Sequence, residues 1–143
     1  MKPRTKARSI ALQVLYEVDI ANHPPGEVLK LRLEETPLSD ELSEFSRQIV
    51  FGVLPLNHDL DQLISKYAPE WPFDQIAAID RNILRMALWE FGVSHETPIK
   101  VAINEAVELA KLFGSDSASR FVNGVLGALA DHQNEIKQAL QKA

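Results

Sequence analysis

PIKVAINEAVELAKLFG, residues 98–114, follows Thr97 and closes on a glycine. Thr97-Pro98 has the form of an N-cap followed by proline at the first helical position, and Gly114 stands where a helix C-terminus takes a left-handed residue. Residues 98–113 are therefore expected to form one helix. No segment of useful length alternates apolar and polar residues, so nothing competes with a helical reading elsewhere.

Working towards the N-terminus, Phe73 to about Val93 is apolar on most sides through Ile76, Ile79, Ile83, Leu84, Met86, Ala87, Leu88 and Phe91. That is the pattern of a central helix packed all round. The linker Ala68 to Pro72 divides the chain into halves. Before it, Leu42, Phe45, Ile49, Val53, Leu56, Leu60, Leu63 and Tyr67 keep a helical spacing across Pro55, where a kink or break is expected because proline removes a donor. Ser39 or Asp40 and Asn57 are candidate caps. A short helix over Glu27–Glu35 and a first helix with a stripe at Ile10, Ala11, Val14, Leu15, Val18 and Ala21, ended by Pro24-Pro25-Gly26, complete the first half.

Towards the C-terminus, Ser115, Asp116 or Ser117 caps a last helix whose apolar face is Ala118, Phe121, Val122, Val125, Leu126 and Leu129. The tail from 132 to 143 is polar and expected to fray. The fold class is all-α with six or seven helices, as two packed three-helix bundles, about 5–67 and 73–131.

The chain contains no cysteine, which excludes disulfides and cysteine-ligated metal and suits a reducing cytoplasm. No stretch approaches the roughly 20 apolar residues of a membrane span. The net charge of −5 hides an asymmetry: residues 1–8 carry Lys2, Arg4, Lys6 and Arg8 without an acid, so the remainder is more acidic than the total. Such an arm, read as a flexible lead-in, is a candidate phosphate contact.

His23, His58, His95 and His132 lack a second histidine at i+3 or i+4, so no histidine-rich metal site is expected. Glu34-Glu35, Asp40-Glu41 and Asp59-x-Asp61 lie in polar stretches, and nothing resembles a nucleophile elbow or a phosphate loop. No cofactor and no enzymatic activity are expected. Arg120-Phe121 follows a helix start, where Phe121 is either core or a platform for an unpaired base. Asp80, Arg81 and Arg85 interrupt the central apolar helix, either as an internal salt-bridge network or as a protein-binding hot spot.

Four stretches together, Ala7-Arg8 into ALQVLYEVD (11–19), DRNILRMALWE (80–90), PIKVAINEAVELAKLFG (98–114) and RFVNGVLGAL (120–129), resemble the NusB family over nearly the whole chain. The resemblance implies a non-enzymatic factor that pairs with the small-subunit ribosomal protein NusE. It also implies binding of single-stranded boxA-type RNA of ribosomal RNA operons, and loading of the complex onto elongating RNA polymerase for antitermination. By the same resemblance, Lys2, Arg4, Lys6 and Arg8 meet the RNA backbone, and Arg120 and Phe121 meet RNA at the last helix. Tyr16 and Asp80, with Arg81 and Arg85 as neighbours, face NusE. Asn104 and Glu105 of the INEA segment are left to a structural role. Thr5 and Ala7 interrupt the basic residues, so RNA affinity is expected to depend on NusE. The competing reading is a helical protein adaptor whose basic arm is incidental.

Overall fold

In the computed structural model, residues 1–141 are described, and among them all regular structure is helical, without a strand. Seven helices span residues 3–130: α1 Pro3–Ala21, α2 Pro25–Glu35, α3 Asp40–Val53, α4 Asn57–Tyr67, α5 Ala78–Trp89, α6 Ile99–Phe113 and α7 Ala118–Ala130. An eighth, α8, follows at Gln133–Gln141. α1 packs on α2 and α3, and α6 and α7 pack on each other and on α5. α5 also meets α1, α3 and α4, so the two bundles share it as a common wall. Its Ile83, Leu84, Met86, Ala87 and Leu88 are all buried, as their all-round apolar pattern requires.

Local chemistry explains most boundaries. α1 begins at Pro3, whose missing N–H costs nothing in a first turn. It ends at Asn22, which adopts a left-handed conformation (φ 55°) and donates its N–H to Val18 O at 3.0 Å. Pro25-Gly26 therefore opens α2 and does not close α1. Ser39 Oγ accepts from Leu42 N and caps α3. Pro55 sits in a single 3-10 turn, Leu54–Leu56, that separates α3 from α4, which is the expected break. Asn57 is the first residue of α4, but its Oδ1 is buried without a partner and caps nothing.

Three further expectations about helix ends are corrected. Residues 3–8 are not a flexible arm but the first turns of α1. Pro98, not Thr97, is the N-cap of α6, and the Thr97 hydroxyl turns inward to donate to Glu90 Oε1 at 3.3 Å. Gly114 is extended (φ −90°, ψ −179°), not left-handed. It is glycine for want of room: a Cβ there would run into Ala118 Cβ and the Ala110 carbonyl.

Over Gln133–Gln141 the tail does not fray, because Ile136 and Leu140 bury one turn apart on α8, while positions 142 and 143 of that expectation lie outside the described residues. They dock on a π-helical turn, Glu90–Ser94, that continues α5. A Cβ at Gly92 in that turn would stand 2.7 Å from Leu140 Cδ1, so the glycine admits α8.

Candidate nucleic-acid and partner interface

The first turns of α1 sort their charges by face. Lys2, Arg4 and Lys6 are exposed, whereas Thr5, Ala7 and Arg8 are buried. Ser46 Oγ of α3 donates to Ala7 O at 2.9 Å and ties this segment to the first bundle. Arg8, only 3% exposed, donates from Nε and Nη2 to Glu90 at 2.8–3.1 Å and from Nη1 to Glu105 Oε1 at 2.7 Å. Thr5 donates to the same Glu105 oxygen at 2.7 Å. A guanidinium buried this deeply, with Nε, Nη1 and Nη2 each bonded to a carboxylate, is both screened from solvent and already neutralised, so it is not presented to a phosphate. The expected RNA contact by Arg8 is thus corrected: the side chain joins α1, the π-helical turn and α6. Arg4 remains outside, its guanidinium 4.6 Å from the centre of the Phe45 ring, which steadies it while leaving it accessible.

The second sequence-predicted pair lies at the start of α7. Arg120 is exposed. Phe121 is half-buried: it packs against the core on one side and forms part of the wall of an open groove of about 360 Å³ on the other. Its neighbour there is Trp71, with ring centroids 6.3 Å apart and planes at 82°. Asp80 and Ser117 also line the groove. Ser117 occupies the N-cap position of α7, though its hydroxyl makes no capping bond. Asp80 is 8% exposed, and its Oδ1 finds no hydrogen-bond partner. Burial pushes its carboxyl above the usual aspartate range.

Arg85 faces inward, and Arg81 lies half-buried beside it. Arg85 is buried and holds Asp61 through two bonds of 2.7 Å, and it also reaches Asp19 at 3.3 Å. Arg81 meets the same Asp19 oxygen at 2.7 Å, and Asn82 meets it at 3.0 Å. Burial raises the Asp19 carboxyl, but the Arg81 and Asn82 hydrogen bonds outweigh it, so the group titrates below its ordinary value. For Arg85 the hot-spot alternative is therefore corrected to the internal brace of α1, α4 and α5. Tyr16, by contrast, is half-buried on a groove of about 430 Å³ with Gln13, Arg32, Ile79 and Phe113. Ala77 borders both this groove and that of Phe121, so the two surfaces are contiguous.

Sequence reasoning missed Trp71, Phe113 and the buried Glu90. An aromatic between Pro69 and Pro72, and an acid directly after the apolar run 86–89, were signals available for the first and last. Among the described residues no group of three His, Cys, Asp or Glu side chains is placed to hold a metal ion. No described helix is long and apolar enough to cross a membrane.

Residues 5–131 match the NusB family. The transcription antitermination protein NusB of Roseiflexus castenholzii is 48% identical over 134 residues, covering 92% of this chain and 94% of that protein. Among solved structures, T. maritima NusB superposes with a TM-score of 0.82 at 30% identity, over 91% of this chain and 92% of that one. A chain of the crystal structure of antitermination factors NusB and NusE in complex with dsRNA superposes with a TM-score of 0.83 at 28% identity, over 92% and 98%.

Proposed function

The chain belongs to the NusB family of transcription antitermination factors, which act by binding and not by catalysis, and from that premise we propose that it binds single-stranded boxA-type RNA together with NusE. The complex acts in the cytoplasm on elongating RNA polymerase. The observation that carries the reading is the outward face of the α1 start, where Lys2, Arg4 and Lys6 stand exposed on a turn pinned from beneath by Arg8. Three cations on a rigid helical turn meet a phosphate backbone at little cost in ordering. Arg120 extends the same role to the start of α7, with Phe121 as a stacking surface.

NusE is assigned to the apolar groove of Tyr16, Ile79 and Phe113, which has the aromatic and aliphatic lining of a protein-docking site. Its occupant gains no purchase on Arg85, which is inside. The local affinity of the three cations is modest, so the two proteins together hold the RNA more tightly than this chain alone.

The test is fluorescence anisotropy of a labelled single-stranded boxA-type RNA, with and without NusE, for the wild type and for Lys2→Glu/Arg4→Glu/Lys6→Glu. The expected result is tighter binding with NusE, lost in the triple variant. On the milder triple-alanine variant, the slope of log K against log salt falls by about 2, from about 0.7 per phosphate contact on a single strand. Absence of RNA binding under every condition returns the chain to the adaptor reading.

A further inference from the structure

We infer that Trp71 is a second base-stacking residue, and that the groove it forms with Phe121 seats one unpaired nucleobase of the bound RNA. This rests on the RNA reading above and assigns a residue to it that lies outside the matched basic and aromatic pair.

Four observations converge. Trp71 and Phe121 meet edge to face, so a base cannot slip between them but stacks on one ring while its edge meets the other. The groove volume, about 360 Å³, falls at the lower end of small-ligand clefts, about 300–1,000 Å³, and it is open to solvent on one side. Trp71 is held before any ligand arrives. Pro69 and Pro72 restrict the backbone on either side, its N–H donates to Ala68 O at 3.2 Å, and the rim of its ring lies over α7 at Gly124. Finally, charge sorts the parts of a nucleotide. The Asp80 carboxylate borders the groove and repels phosphate from it, whereas exposed Arg120, next to Phe121, attracts phosphate outside. A base therefore enters and the backbone stays out.

The protein has two tryptophans, Trp71 and Trp89. Trp89 packs its indole against Gly52 of α3, where a Cβ would collide with it. An RNA-dependent change in emission that Trp71→Phe abolishes therefore belongs to Trp71. The experiment titrates the wild type, Trp71→Ala and Trp71→Phe with the single-stranded boxA-type RNA, reading tryptophan emission and anisotropy, and titrates NusE separately. The inference expects RNA to quench the wild type and not Trp71→Phe. It expects Trp71→Ala to bind RNA about tenfold more weakly with an unchanged salt slope. Trp71→Phe, which keeps a stacking ring, should retain most of the affinity, and NusE should bind all three alike.

Undiminished RNA binding by Trp71→Ala, with the triple charge reversal still defective, overturns the inference and leaves the RNA reading standing. Loss of NusE affinity in place of RNA affinity overturns it in favour of a protein in the groove. If neither Trp71→Ala nor the charge reversal affects RNA binding, the placement of RNA at the α1 start fails and the inference with it, whereas a wild type that binds no RNA ends the RNA reading itself. Should Trp71→Ala not fold, the emission of the wild type against Trp71→Phe decides: no RNA-dependent quench at Trp71 overturns the inference.

Discussion

The starts of α1 and α7 are alike as sequences and unlike as surfaces. Each carries an arginine close to a helix N-terminus, Arg8 in one and Arg120 in the other, and both suit an anionic ligand. In the fold, Arg8 lies beneath its helix between Glu90 and Glu105, while Arg120 points to solvent. A basic residue near a helix start thus has two uses. At α1 the buried arginine holds the turn and the exposed Lys2, Arg4 and Lys6 do the meeting. At α7 no buried arginine holds the turn: the Asp80 carboxylate lies against it near Gly114, and the turn rests on close packing between Gly114 and Ala118 and presents Arg120 and Phe121 directly.

Breaking this contrast at its strong end has the largest expected effect. Arg8→Ala strands Glu90, which is 2% exposed, with Thr97 as its remaining partner. Removing one member of a buried ion pair costs about 3–5 kcal/mol, read as a drop in urea midpoint at constant slope. An unchanged midpoint would mean that the pair is not the anchor of α1. On the other side, Gly114→Ala pushes a methyl group into Ala118 and the Ala110 carbonyl. Overpacking of this kind costs about 1–3 kcal/mol, measured the same way, and a stabilised variant would show that the α6–α7 junction has slack.

A third substitution leaves stability alone. Arg120→Ala removes an exposed charge, so its thermal midpoint should match the wild type, while the salt slope for RNA binding should fall by about 0.7. A lower midpoint with an unaltered slope would assign Arg120 the role that Arg8 has.

The smallest effect concerns pH. The folded-state pKa of Asp80 is raised by burial, so its stability contribution is full below the unfolded value and is lost as pH rises through the folded one. Asp80→Asn should therefore be slightly more stable than the wild type at neutral pH, with the gain vanishing in acid. Asp19 runs the other way. Its pKa is depressed, so its contribution is present above the unfolded value and lost as pH falls through the folded one. Asp19→Asn should lose stability chiefly at neutral pH, and chemical denaturation at pH 7 and pH 3 separates the two signs.

Much of this molecule is legible along the chain. The stripes of α1 and α3, the break at Pro55 and the all-round apolar surface of α5 follow from local spacing, and the tertiary fold leaves them in place. The tail was illegible because α8 has only Ile136 and Leu140 to bury, too few to stand out among polar neighbours. Their value comes from the π-helical turn they meet, with its gap at Gly92. In the candidate interface, Arg120 and the outward α1 cations follow from position in their helices. Trp71 did not, since an aromatic in a linker acquires meaning only once Phe121 is beside it.

By itself, then, the sequence determines the helical class, the family and the inventory of cations at helix starts, because periodicity and capping act over a few residues. Only the tertiary structure decides which cations are free. The partners that remove Arg8 from solvent, Glu90 and Glu105, stand 82 and 97 residues further along the chain. Whether a guanidinium is a brace or a contact depends on desolvation and on the carboxylates that folding brings to it, and no local pattern encodes that distance.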